Sequence, residues 1–460
     1  MAYRDLRAFL ARLEEADELV RISIEVDPVF EVAAVCRKVL NDGGPAVRFD
    51  RLKGQRMPLV SNIVATRARF AMALETSPED LASELMKRMA KTIAPVVVKD
   101  AVCKENVISG KDVNLYDLPI PIWSELDGGP FLTLPCDISK DPETGIRNAA
   151  IYRSQVFDRN TIGIHGSAYR HLFRHWAKAG QDKPFPIAIA MGCDPTIHIA
   201  SATPMPVDYD ELALAGALRG EPVDLVPCET IPLEVPASAE IVLEGYLKEN
   251  SETRREGPFG DWLGYYDGQT QCPLVEVTTI THRHQPIMLA SFEGRPPHDS
   301  AVINSVMFEH ELIRAVSLPG LKKIHVHDAG GLTAVAALEN KSEGYARQMA
   351  LALLGTWAGR HIKVLILIDA DLDPGNPIDV NWALSTRFQP DRDVQVLHNL
   401  VGSRLDPSTH HHSTSKIIID ATKTETHDQP TECWPHKEVW QRVLDDWGRY
   451  GVADRIRRSQ

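Results

Sequence analysis

Between residues 101 and 300 the chain runs as short apolar segments broken every few positions by Gly, Pro or Asp, and this pattern constrains the fold most. Phe131-Leu132-Thr133-Leu134, Ile187-Ala188-Ile189-Ala190, Ile241-Val242-Leu243 and Val275 to Ile280 each read as a strand. Many short strands with turns between them predict a barrel or a strongly bent sheet. One helix, Leu172 to Lys178, interrupts the series.

The flanks read as α/β. Leu6, Phe9, Leu10 and Leu13 recur at helical spacing, and Asp27-Pro28 looks like an N-cap followed by proline at the first helical position. Ser77-Pro78-Glu79-Asp80 opens a helix carrying Leu81, Leu85 and Met89, and Pro95 to Val98 is extended. Residues 301–316 predict a helix that ends at Pro319-Gly320, a domain boundary. Beyond it Lys323 to Val326 predicts a strand, Tyr345 to Trp357 an amphipathic helix, and Val364 to Ile368 a fully buried strand. Trp434 to Ile456 reads as a terminal helix with Trp440, Val443, Leu444 and Trp447 on one face. The expected division is therefore 1–100, 101–300, a linker helix 301–318, 319–425 and a tail 426–460.

Composition removes several classes of function. With 50 Lys+Arg against 63 Asp+Glu the net charge is −13, and no basic run offers a nucleic-acid surface. No apolar stretch approaches the roughly 20 residues of a membrane span. Met1-Ala2-Tyr3-Arg4-Asp5 has no signal-peptide core, so a cytoplasmic protein is expected. The 7 cysteines are odd in number, without CxxC spacing, and read as reduced buried thiols; Cys193 has no evident base beside it.

Neither GxGxxG after a strand nor GxxxxGK[ST] occurs, so an anionic cofactor would need another means of neutralisation. The densest segment is Glu256-Gly257-Pro258-Phe259-Gly260-Asp261-Trp262-Leu263-Gly264-Tyr265-Tyr266. Its Gly-Pro-Phe-Gly turn can hold two carboxylates in one pocket, one ionised and one protonated. Two acids that cap turns in a solvated loop would leave the same pattern. Arg153, closing Asn148-Ala149-Ala150-Ile151-Tyr152-Arg153, either faces inward to pair with a carboxylate or is an exposed strand residue. Asn148, His165 and Glu211 are a neutral oxygen, an imidazole and a carboxylate that together suit a Mn²⁺-like ion, yet their spacing matches no generic metal motif.

Louder features carry less. Asp369-Ala370-Asp371-Leu372-Asp373 lacks the glycine and distal glutamate of a calcium loop and reads as an acidic strand-end turn. His410-His411-His412 is internal, and of His325 and His327 on one strand only one is expected to face a given site. Lys416 precedes Ile417-Ile418-Ile419 and is either a phosphate cation or a solvated strand start.

Taken in order, these segments resemble the UbiD family of decarboxylases, which use prenylated FMN. The likeness runs through Asn148 to Arg153, Ala202-Thr203-Pro204-Met205-Pro206 with Glu211, and Pro236 to Gly245. It continues through Glu256 to Tyr266, Gly294-Arg295-Pro296-Pro297, Trp382 to Arg387, and Ser415-Lys416 with Asp420-Ala421-Thr422. The resemblance implies an α/β N-terminal segment, a flavin-reductase-like split β-barrel for the cofactor, a linker helix and a C-terminal α/β oligomerisation domain. By similarity, Arg153, Glu256 and Asp261 match the catalytic network. Asn148, His165 and Glu211 match the ligands of a divalent metal, Mn²⁺ or another, that holds the cofactor phosphate; His171 lies six residues beyond His165. Ala150, Ile151, Tyr152, Ala202, Thr203, Met205 and Pro206 fall where the family contacts cofactor and a monovalent cation, K⁺ or Na⁺, and Lys416 where it contacts phosphate.

The chemistry gives this likeness a physical sense. Losing CO₂ from an aromatic ring leaves an sp² carbanion with no resonance outlet, so a covalent cofactor adduct takes up the charge. The implied reaction is reversible decarboxylation of an aromatic or heteroaromatic acid, Arg153 steering the carboxylate and Asp261 returning the proton. A flavin prenyltransferase as cofactor supplier and a homodimer or homohexamer are implied too. A non-catalytic assembly subunit and an FMN-dependent reductase are the other readings. Phe259, Trp262, Tyr265 and the loop Gly294 to His298 are pocket candidates; His298 either reads a ring substituent or caps a turn.

Overall fold

The strand Thr270–His282, 13 residues long, is the spine of the molecule. It pairs antiparallel with Thr161–Ile164, Ile241–Leu247, Thr253–Glu256 and Asn106–Ser109. Around it ten strands form one sheet whose path ends at Phe131–Leu132 and Arg147–Ala150 and does not close into a barrel. The computed structural model describes residues 3–249, 252–339, 342, 344–409, 413–423 and 432–451. Among these the architecture is mixed helix and sheet, as expected, and no helix is long and apolar enough to cross a membrane.

Smaller sheets interleave with the large one rather than following chain order. The N-terminal four-stranded sheet takes its last strand from Met288–Leu289, and Val96–Val97 joins Asp224–Pro227. Two apolar clusters fill the space around these sheets, one holding Leu6, Phe9, Leu10 and Leu13 of the first helix. That helix is capped by Asp5, whose carboxylate accepts from Ala8 N at 2.8 Å. The second helix starts later than Asp27-Pro28 suggests. Asp27 instead closes a turn by accepting from Val29 N, and the helix runs Glu31–Asn41.

The linker helix Asp299–Ala315 leads to a five-stranded C-terminal sheet. Its central strand, Val364–Asp369, has parallel neighbours on both sides, which is why it reads as an unbroken apolar run. Apolar clusters cover both faces of this sheet. The acidic turn after that strand is neutralised by Arg387, which pairs with Asp369 and Asp371. The expectation that only one of His325 and His327 can face a given site fails, because side chains two positions apart in extended chain fall on the same face, and the two rings meet edge-to-face at 5.2 Å. The terminal helix Lys437–Asp445 buries none of its residues within the chain. Ile456 and His410 to His412 lie outside the described residues.

Candidate active site

Arg153 follows the strand Arg147–Ala150 and immediately precedes the strand Ser154–Asp158. Its guanidinium is directed inward, 9% exposed, onto the end of the strand Thr253–Glu256. There it forms a two-pronged contact with Glu256, Nε to Oε1 at 2.9 Å and Nη2 to Oε2 at 3.1 Å. Its remaining arm donates to Asp261 Oδ2 at 2.7 Å. The reading of Arg153 as an exposed strand residue is thereby excluded.

Asp261 sits at the tip of a short hairpin, Phe259–Gly260 paired with Tyr266–Asp267. Two glycines make this tip fit. Gly257 has φ +87°, and Gly264 has φ +85° and lies so close to Arg295 that a Cβ would fall 2.7 Å from its Cα. The register sets Asp267 opposite Phe259 and brings a third carboxylate to Arg153, Oδ2 3.1 Å from Nη2. Sequence reading missed Asp267; the only available signal was its place in the returning strand.

The two carboxylates named by the sequence are driven apart. Burial works to raise Glu256, but hydrogen bonds from His165 and Arg153 outweigh it and hold the group below its ordinary value. For Asp261 burial prevails over the attraction of Arg153, and the group is raised. One pocket thus pushes two neighbouring acids in opposite directions, a split that acid–base chemistry can use.

A second set of donors begins five residues upstream of Arg153 on the same segment. Asn148 is 2% exposed, and neither its Oδ1 nor its Nδ2 has a hydrogen-bond partner among the described residues. Its neighbour Ala149 donates to Glu211 Oε2 at 2.8 Å. Glu211 opens the helix Glu211–Arg219, and its Oε1 lies 3.6 Å from His171 Nδ1. Burial raises Glu211, with His171 opposing.

The imidazole beside Glu211 is therefore His171, not His165. His165 lies 3.2 Å from Glu256 Oε2 and 3.3 Å from Arg153 Nη2, across in the carboxylate network. The strand Thr161–Ile164 delivers His165 to one side, whereas His171 begins the helix His171–Ala179 on the other. An orphaned buried amide beside an imidazole and a carboxylate is a donor set of the kind that suits a divalent ion. Among the described residues no group of three or more His, Cys, Asp or Glu side chains is gathered closely enough to hold a metal by itself, so this site would depend on the Asn148 amide.

The segment Ala150 to Tyr152 connects the two sets. Ile151 N donates to Ser201 O at 3.2 Å, which brings the turn beginning at Ala202 and Thr203 alongside. Thr203 turns its hydroxyl back onto Ile199 O, and Ala202 and Met205 pack on the core. Tyr152 accepts from Leu172 N at 3.2 Å, and Arg170, unforeseen in the sequence, donates to Ile151 O and stacks on the Tyr152 ring.

Lys416 does not join these residues. It is 2% exposed inside the C-terminal domain, and its ammonium donates to the carbonyls of Gly359, Arg360 and Ile362 at 2.6 to 2.8 Å. All three of its protons are spent there, so the expected phosphate contact is corrected to a structural one. His298 is fully buried, its Nε2 donating to Trp262 O at 3.0 Å, so in this arrangement it reads no substituent.

Three family profiles of 3-octaprenyl-4-hydroxybenzoate carboxy-lyase match the chain. The N-terminal domain matches residues 10–89, the Rift-related domain 95–296 and the C-terminal domain 301–421. A protein of Archaeoglobus fulgidus is 34% identical over 468 residues, covering 95% of each chain. The UbiD-class enzyme HmfF from Pelotomaculum thermopropionicum, solved in complex with FMN, is 33% identical, with TM-score 0.89 over 96% of this chain and 100% of its own. An evolved dimeric form of HmfF has been solved with prFMN. Vanillic acid decarboxylase of Sedimentibacter hydroxybenzoicus in open form is 32% identical, with TM-score 0.89 over 98% of this chain and 100% of its own.

Proposed function

The chain belongs to the UbiD family of carboxy-lyases, and on that premise we propose that it reversibly decarboxylates an aromatic or heteroaromatic acid with prenylated FMN. The observation that carries this reading is the opposed drive on Glu256 and Asp261 across one guanidinium. An assembly subunit has no need of such a pair. The HmfF complexes with FMN and prFMN and the vanillic acid decarboxylase support the cofactor and the substrate class.

Prenylated FMN, when bound, supplies the electron sink that no side chain offers. Asn148, His171 and Glu211 would hold a divalent metal, Mn²⁺ by its ligand chemistry, and through it the cofactor phosphate. Ala150, Ile151 and Tyr152 with Ala202, Thr203, Met205 and Pro206 would line the cofactor, K⁺ or Na⁺ lying at the second segment.

The protein's own part is orientation and proton handling. Arg153 offers its planar fork to the substrate carboxylate while Glu256 holds the fork in place. Asp261 keeps a proton on its carboxyl group and returns it to the ring carbon as CO₂ leaves. The buried pocket strengthens both electrostatic effects by excluding water. A flavin prenyltransferase supplies the cofactor, and the protein works in the cytoplasm as a homodimer or homohexamer.

The mass of the cofactor extracted from protein coexpressed with a flavin prenyltransferase tests the assignment. A prenylated isoalloxazine is expected; plain FMN alone would favour a flavin reductase instead.

A further inference from the structure

A pair of buried ionisable groups lies just behind Asp261 and takes no part in the network around Arg153. Glu293 and His298 are 5% and 0% exposed. His298 Nε2 lies 3.0 Å from Trp262 O, and because a carbonyl can only accept, this nitrogen carries the proton. Its Nδ1 has no hydrogen-bond partner among the described residues and lies 3.4 Å from Glu293 Oε2. The other carboxyl oxygen, Oε1, accepts from Ser300 Oγ.

We propose that Glu293 is a positioning residue: through His298 it holds the Trp262 carbonyl, and with it the carboxylate of Asp261. Trp262 is the link. Its N–H donates to Asp261 Oδ1 at 2.7 Å, so fixing its carbonyl fixes the peptide that aims the acid. The hairpin tip has few other restraints: Asp261 N donates to Tyr265 O at 3.0 Å and Gly264 N to Asp261 O at 2.8 Å, both within the tip. The only side-chain hydrogen bond to the tip's backbone from beyond Asp261 itself, among the described residues 261–265, is that from His298.

Glu293 Oε2 and His298 Nδ1 cannot face each other as two bare lone pairs, so one proton lies between them. Burial favours keeping it on Glu293, which is raised well above its ordinary range by desolvation, with the hydrogen bond from Ser300 opposing. Burial likewise drives the His298 ring toward its neutral form, down to about 4, against the pull of the Trp262 and Gly294 carbonyls. Both drives are toward the uncharged forms of the two groups.

This role rests on the reading of Asp261 as the proton-returning acid, and its test therefore uses a readout independent of turnover. Hydrogen exchange of the Phe259–Asp267 hairpin is followed by mass spectrometry in cofactor-loaded protein carrying Glu293→Gln, Glu293→Leu or His298→Phe. The glutamine amide can donate to Nδ1 and accept from Ser300, so Glu293→Gln should exchange within about twofold of the parent. Glu293→Leu and His298→Phe should each exchange about tenfold faster, the effect of losing one buried hydrogen bond. In a turnover assay the same two variants should lose kcat with KM little changed, and Glu293→Gln should be rescued. Parent-like exchange in His298→Phe, or equal acceleration in Glu293→Gln and Glu293→Leu, would overturn the proposal. The expected exchange pattern with no decarboxylation by the parent would leave it standing and sink the functional reading instead. Glu293→Gln and His298→Phe decide the matter even where Glu293→Leu does not fold.

Discussion

Glu256 and Asp261 share the guanidinium of Arg153 and are driven in opposite directions: the first is held below its ordinary carboxylate value and the second is raised above it. Five residues of backbone and one arginine are enough to divide labour between two like groups. The division follows from contact number. Glu256 receives two arginine bonds and a histidine, whereas Asp261 receives one arginine bond and one backbone N–H, from Trp262.

Replacing Asp261 by Asn removes the proton to be returned while keeping size and the contact to Trp262 N. Turnover is expected to fall by about 10²–10⁴-fold, the usual worth of a positioned general acid. The bound-cofactor absorption spectrum should be unchanged. CO₂ release and the flavin spectrum, measured on one sample, check both statements.

The same opposition sets a pH dependence. Asp261, raised, binds its proton more tightly when folded, so its contribution to stability is present below about 3.9 and is lost as pH rises through the folded value. Glu256, lowered, does the reverse: its contribution is present above about 4.3 and is lost as pH falls through its depressed value. Under the proposed mechanism activity needs Glu256 ionised and Asp261 protonated, so kcat should be bell-shaped, Glu256 setting the acid limb and Asp261 the alkaline one. In Asp261→Glu the alkaline limb alone should move. Steady-state kcat measured from pH 4 to 9 is the check; an alkaline limb unmoved in that variant would assign it elsewhere.

Metal content separates the two histidines. His171→Ala should lower Mn²⁺ affinity by at least about tenfold to a hundredfold, the loss found when even the supporting groups of a metal site are removed. His165→Ala should leave the affinity within about twofold and impair turnover instead. Elemental analysis after dialysis against defined metal concentrations distinguishes the pair.

Lys416→Met should destabilise the C-terminal domain without weakening cofactor binding. Three buried carbonyls lose their donor, at a cost of about 1–3 kcal/mol for each group left unpaired, partly offset by the apolar replacement. A lowered denaturant midpoint with unchanged flavin affinity is expected.

How much of this was legible depends on how local each signal is. Arg153, Glu256 and Asp261 stand on short segments whose turn glycines and apolar neighbours mark them in the chain itself. The buried strand Val364–Asp369 is equally local, since its whole run is apolar. The choice between His165 and His171 is not local: it depends on which side of the sheet a six-residue connection, 165–170, delivers each ring. Lys416 misled because a lysine beside an isoleucine run gives no sign that three carbonyls from residues 359–362 await it. Asp267 and Glu293 reach the site through hairpin register and a return of the chain, which no spacing rule encodes.

The central claim is that this chain removes CO₂ from an aromatic acid and that Asp261 closes the cycle. Protein coexpressed with a flavin prenyltransferase and reconstituted with Mn²⁺ and K⁺ is offered a panel of benzoic, phenolic and furan carboxylic acids labelled with ¹³C at the carboxyl group. Release of ¹³CO₂ from at least one acid by the parent, and none above background by Asp261→Asn with cofactor bound, is the predicted result. No release from any acid by fully loaded parent enzyme, or undiminished release by Asp261→Asn, would contradict it.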